Sequence, residues 1–344
     1  AKILADDSLN YRFLVFNHLL KQSSQQLFGQ PLRTEQWQSW FISVFEKYLN
    51  HRIPRHATDD RTTYKPFDWD AINSLCQTYE GHGDTGERLL LIIDEGQDMP
   101  SAFYEALANL SFENIFVVAD QNQQIVNEHN SSRRDLEDAL DLDPSNTIEL
   151  TENYRNRLPV ARLARMFYPG DPASPPPKFP PAPRHELKKP LLFHYRQEQF
   201  IRIIHRILTM VKNRPAKLIG ILCPNNRVRE KYYNALLANN KTTDMPQLPI
   251  STFKSGDKTT MPFDEGGIMV INSQACKGLE FDMVFIADID QFGFSHQNRE
   301  SAQKLFYVMI ARAIEHAILL RQQGEAKAID AIIPTNHPSV LEIK

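Results

Sequence analysis

The chain has 344 residues, 42% of them hydrophobic, and a formal net charge of −3 at pH 7. That length exceeds one average core and predicts two globular domains. The near-neutral balance excludes a polybasic binder that works through bulk field, so any nucleic acid must be met in a local groove. No apolar run approaches the roughly 20 residues that cross a bilayer, and the start has no signal-peptide pattern. Cys76, Cys223 and Cys276 lack CxxC spacing and lie in or beside apolar sequence, as reduced core thiols do. A soluble, cytoplasmic protein is expected.

In chain order, AKILADD (1–7) reads as the end of a helix, which makes the chain a fragment by expectation, and YRFLVF (Tyr11–Phe16) as the first strand. Further strand-like runs fall at Leu89–Ile93, Ile115–Ala119, Thr147–Leu150, Leu191–Tyr195, Leu218–Cys223, Ile268–Ile271, Met283–Ala287 and Ala317–Leu320. Helical patterns at Ser39–Leu49, Phe200–Val211, Arg227–Asn239 and Ala302–Ile314 fill the intervals. Strands alternating with helices predict parallel α/β sheets. The stretch Tyr168–Pro190 holds nine of the 22 prolines, too many for a helix or central strand, and is expected to wrap the start of a second domain. The boundary is placed at Asn156, giving domains 1–156 and 157–344.

The richest segment is LLLIIDEGQD (Leu89–Asp98). A continuous apolar run reads as a buried parallel strand, and carboxylates at its C-terminal end face a ligand crevice. Asp94 there can hold the water shell of a Mg²⁺ bridging the β- and γ-phosphates of ATP, and Glu95 can polarise the attacking water. A strand that merely ends in solvated acids would look the same, so the remaining segments decide. IFVVADQNQQI (Ile115–Ile125) is a second strand delivering Asp120 and Gln123. LTENYRN (Leu150–Asn156) sets Tyr154, an aromatic face for a base, beside the guanidinium of Arg155. INSQACKGLEFD (Ile271–Asp282) offers a Lys-Gly turn and Glu280, and LFYVMIARA (Leu305–Ala313) carries Arg312 on an otherwise apolar helix.

This ordered set resembles the UvrD/Rep/PcrA family of superfamily 1 DNA helicases, from motif Ia through motif VI. The resemblance implies two RecA-like domains of the P-loop NTPase type that hydrolyse ATP between them while moving along single-stranded DNA. It makes Asp94 the Mg²⁺ ligand, Glu95 the base, Gln123 the γ-phosphate sensor and Arg155 and Arg312 the arginine fingers. Tyr154 would stack on the purine, and Gly278 and Glu280 would serve the nucleotide, Glu280 at the ribose. On the DNA side it points to Phe16 and Asn17 (motif Ia), Trp37 and Trp40 (motif Ib) and Gln274 (motif V). Stacking on an aromatic contributes about 1–3 kcal/mol per base. Trp37 and Trp40 lie three apart on a predicted helix, however, and fit a core stripe equally well.

The departures from the family pattern are specific. GxxxxGK[ST] is absent from these residues, although that loop cradles the phosphates, and truncation or disorder of the loop is the expected reason. After Gln123 the run Gln124–His129 lacks the usual aromatic pair and Arg. Asn272 and Gln274 stand where Thr and His are common, and Ala311 where Thr is common. Only Lys21–Arg88 and Pro224–Gly267 are available for the family's large inserted domains, so none is expected. Two functions follow: an ATP-driven helicase or translocase, or a nucleotide-switched DNA-binding subunit that regulates a partner such as a nuclease in repair or phage defence. An RNA substrate stays open, because such motifs do not read the sugar.

Overall fold

The computed structural model describes residues 10–27, 32–57, 65–80, 89–124, 130–168, 170, 174–182, 185, 187–241, 247–253, 263, 265–294 and 298–344. The chain divides into two compact units, 1–149 and 150–344. Both are mixed α/β with parallel sheets. Among the described residues no helix is long and apolar enough to cross a membrane.

In the first unit, β1 (Tyr11–Val15), β2 (Thr34–Gln36), β3 (Leu90–Ile93) and β4 (Ile115–Val117) form a sheet in the order β2-β1-β3-β4, every pair parallel. Helices α1 (His18–Leu27), α2 (Trp37–Leu49), α3 (Trp69–Gln77), α4 (Ser101–Asn109) and α5 (Arg133–Ala139) complete it. β3 is buried along its last three residues because it lies inside the sheet, as its unbroken apolar run requires. α2 starts where Gln36 accepts the Ser39 amide, and α3 where Asp68 accepts that of Ala71. The core on this side is aromatic. Trp37 packs against Phe103 at 5.0 Å between ring centroids, against Phe67 and along Trp69, and Trp40 meets Phe112 at 5.6 Å.

The second unit carries β5 (Leu191–Tyr195), β6 (Leu218–Cys223), β7 (Ile250–Thr252), β8 (Gly267–Asn272), β9 (Phe281–Ile286), β10 (Ala313–Gln322) and β11 (Glu342–Ile343). They form one parallel sheet, β11-β5-β10-β9-β6-β8-β7. Its helices are α6 (Leu158–Arg165), α7 (Phe200–Lys212), α8 (Asn226–Asn240) and α9 (Arg299–Ala311). α7 buries Phe200, Ile203, Ile204, Ile207, Leu208 and Val211, one face at helical spacing, against the sheet. The proline-rich stretch runs along residues 150–152 and α6: the Lys178 amide donates to the Thr151 carbonyl at 2.7 Å, and the Arg165 guanidinium lies 4.2 Å from the Phe179 ring centre.

Two expectations give way here. Thr147–Leu150 is not a strand: Ile148 and Leu150 are each 84% exposed and pair with no sheet among the described residues. The segment Leu150–Asn156, expected with the first domain, belongs to the second unit. The Asn156 side-chain amide donates to the carbonyls of Ala311 at 2.9 Å and Ala313 at 2.6 Å, and the Arg157 amide to that of Ile314, which ties the segment to the start of β10. The amino-terminal residues 1–9 and the run Ile125–His129 lie outside the described residues.

Candidate functional site

In the first unit, the expected acids leave the C-terminal end of β3. The Asp94 amide donates to the Leu14 carbonyl of the neighbouring strand, and its carboxylate accepts the Glu95 amide at 3.0 Å. Glu95 is buried and takes a left-handed backbone, φ 56°, which turns its side chain sharply off the strand line. Gly96 follows because nothing larger fits: a Cβ there would stand 2.2 Å from Val117 Cγ1 and 2.8 Å from the Tyr104 hydroxyl. That hydroxyl donates to the Gly96 carbonyl at 2.8 Å, and burial raises its pKa, with the nearby Asp98 adding to the rise.

Gln97 is fully buried and joins two motifs. Its Nε2 donates to Glu95 Oε2 at 2.6 Å and its Oε1 accepts the Asp120 amide at 3.0 Å. Asp120, just past β4, caps the turn Gln121–Gln123 by accepting the Asn122 amide at 2.9 Å, and its other oxygen accepts the Gln123 Nε2 at 2.6 Å. Asp94, Glu95 and Gln123 are thus brought together at the carboxyl ends of adjacent parallel strands. Gln97 as the joint went unread in the sequence, because a glutamine two residues after a carboxylate carries no signal until its burial is known.

The DNA-side residues of this unit divide. Phe16 follows β1 half-buried against the aromatic core, and Asn17 caps α1 by accepting the Leu20 amide at 2.8 Å. Trp37 and Trp40 are each 4% exposed with ring partners around them, so neither has a face for a base. The base-platform role is corrected to core packing.

In the second unit, Tyr154 is 91% exposed, its ring available to a ligand. Arg155 Nε pairs with Glu280 Oε1 at 2.6 Å, joining LTENYRN to the segment after β8. Asn153 sets this up by accepting the amides of Arg155 at 3.1 Å and Asn156 at 3.0 Å. Gly278 takes φ +76° between buried Lys277 and buried Leu279, a conformation that side chains rarely adopt. Gln274 is exposed on the turn Ser273–Cys276. Arg312 is 1% exposed: its guanidinium donates to the carbonyls of Val308 at 3.3 Å and Leu279 at 3.5 Å. The expected arginine finger therefore sits folded into its own unit, against the turn that carries Glu280.

A second buried cluster also went unread. Asp288, at φ 44° beyond β9, is 2% exposed and accepts the hydroxyls of Tyr195 and Tyr232, the latter at 2.6 Å, and the Lys231 ammonium at 2.9 Å. Burial first, then the Asp288 charge, drives both tyrosine pKa values up, which keeps their hydroxyls donating.

Residues 267–320, from β8 into β10, match the family model of the UvrD-like helicase C-terminal domain. Among solved structures, the C-terminal domain of a possible DNA helicase from Lactobacillus plantarum WCFS1 is similar at 16% identity and a TM-score of 0.38, covering 56% of this chain and 98% of that one. The helicase MrfA bound to DNA is similar at 10% identity and a TM-score of 0.43. That alignment covers 98% of this chain, which spans 45% of that protein. No curated protein matches.

Proposed function

We propose that this chain is the motor region of an ATP-dependent helicase or translocase acting on single-stranded DNA. The observation that carries the proposal is the linked set Asp94, Glu95, Gln97, Asp120 and Gln123 at the ends of two parallel strands; the match over residues 267–320 supports it. Phosphoryl transfer asks for charge neutralisation and a placed water, and these residues offer the groups for both. Among the described residues no three His, Cys, Asp or Glu side chains form a metal cage. Mg²⁺ asks for no such cage, since it binds through one or two carboxylates with phosphate oxygens and waters. Asp94 is the residue that would hold it, and the ion would supply charge for the phosphates.

The chain's own residues do the rest. Glu95 accepts a proton from water, and Gln123 offers an amide to a phosphate oxygen once it leaves Asp120. In the second unit the exposed Tyr154 ring takes a base by stacking, and Arg155 with Glu280 offers a cation and an acceptor beside it. Gln274 and Phe16 are proposed on the DNA side, where stacking and backbone contacts suffice.

The short spans Lys21–Arg88 and Pro224–Gly267, which leave little room for a duplex-engaging domain, favour a second reading, a nucleotide-switched DNA-binding subunit that controls a partner such as a nuclease. Translocation kinetics separate the two. On oligothymidylates of increasing length with a dye at one end, a motor reaches the dye after a delay that grows linearly with length. A switch consumes nucleotide with no length-dependent delay, and that outcome would remove the motor.

A further inference from the structure

We infer that Gln97 is a positioning residue that fixes the Glu95 carboxylate for its work on water, an inference that rests on the ATP-hydrolysing reading above. The amide has one orientation open to it. A carboxylate only accepts and a backbone N–H only donates, so Nε2 must face Glu95 Oε2 (2.6 Å) and Oε1 must face the Asp120 amide (3.0 Å). With no exposed surface, the side chain has no water to exchange these bonds with.

A purely structural glutamine would be needed to hold the loop together, but the main chain already does that. The Gln97 carbonyl accepts the Ser131 amide at 3.1 Å and the Gln124 side chain at 3.3 Å, and the Ser131 hydroxyl donates to the Met99 carbonyl at 2.6 Å. What the Gln97 side chain adds is a fixed line from the base to Asp120, and through the Asp120 carboxylate to Gln123. The left-handed backbone of Glu95 sets where its side chain starts, and Gln97 sets where its carboxylate ends. Loss of that second constraint misplaces the base without touching the groups that hold nucleotide, and misplacement by about 1 Å costs on the order of 100-fold in rate.

Two variants test this, in the chain together with any sequence preceding Ala1. Gln97→Glu is nearly isosteric and keeps an acceptor for the Asp120 amide while replacing the neutral amide donor to Glu95 with a second carboxyl, which repels Glu95 or shares one proton with it. Gln97→Met deletes both. Steady-state ATP turnover, thermal melting and amide hydrogen exchange at Asp120 are read for each. The expected result for Gln97→Glu is kcat down by about 10- to 100-fold at unchanged KM, with Asp120 protection as in the wild type. Gln97→Met is expected to lose both kcat and that protection. Wild-type kcat in Gln97→Glu, or a fall in kcat matched by lost Asp120 protection, overturns the positioning role alone. A wild-type chain without ATP turnover overturns the role together with the hydrolytic reading on which it rests.

Discussion

At the residue scale, Gly96 is the tightest point of the candidate site. Its missing Cβ is what lets Val117 and Tyr104 close behind the acids, and forcing a methyl group into such a space costs about 1–3 kcal/mol. Gly96→Ala should therefore melt early and lose ATP turnover, measured by calorimetry and a phosphate-release assay. Two titrations act on stability in separate windows. Arg321, buried, grips Asp330 through Nε–Oδ1 at 2.7 Å and Nη2–Oδ2 at 2.6 Å and holds that carboxyl below its ordinary value. The resulting stability is present above the unfolded carboxyl value near 4 and disappears as the pH falls through the folded one. Asp330→Asn should cost about 2 kcal/mol at neutral pH, and the gap to wild type should narrow in denaturant titrations as the pH falls below the ordinary carboxyl value. His316 acts higher up: burial first, then Lys188 and Arg214, lowers its pKa, so folding favours its neutral form. Its contribution is complete above about 6.5 and is lost as the pH drops below that value, which His316→Gln should flatten in the same titration.

At the element scale, α2 shows why a helical aromatic pair is ambiguous in sequence. Trp37 and Trp40 three apart serve a core or a base platform equally well, and only the partners Phe67, Trp69, Phe103 and Phe112 from distant positions decide for the core. Trp37→Ala should destabilise by about 3–5 kcal/mol, whereas Trp37→Phe should leave single-stranded DNA affinity unchanged in fluorescence anisotropy. The strands divide by the same logic. β5 and β6 coincide with their apolar runs because central strands carry their own hydrophobic signal. β2 (TEQ), β7 (IST) and β11 (EI) carried none: they are short edge strands, each defined by its neighbour. Ile148 and Leu150 had the composition of a strand but, among the described residues, no sheet neighbour, and are each 84% exposed. In the site, Asp94, Glu95 and Gln123 were legible because a strand end fixes where they project. Gln97 and Asp288 were not, since their roles depend on burial and on partners far along the chain.

For the whole molecule, the two parallel α/β units divide the motifs between them: the acids and Gln123 belong to 1–149, and Tyr154, Arg155, Glu280 and Arg312 to 150–344. The second set is assembled by long-range bonds, Arg155 to Glu280 and Asn156 to Ala311 and Ala313, which is why the LTENYRN segment moved across the expected boundary. Tyr154→Ala should leave melting unchanged, because the ring is exposed, and raise KM for ATP several-fold. The most direct measurement is ATP turnover by the chain with any sequence preceding Ala1, with and without single-stranded DNA, beside Glu95→Gln. Turnover stimulated several-fold by DNA and abolished by the substitution is the predicted result. Turnover that is absent with and without DNA, or unchanged by Glu95→Gln, would contradict the account.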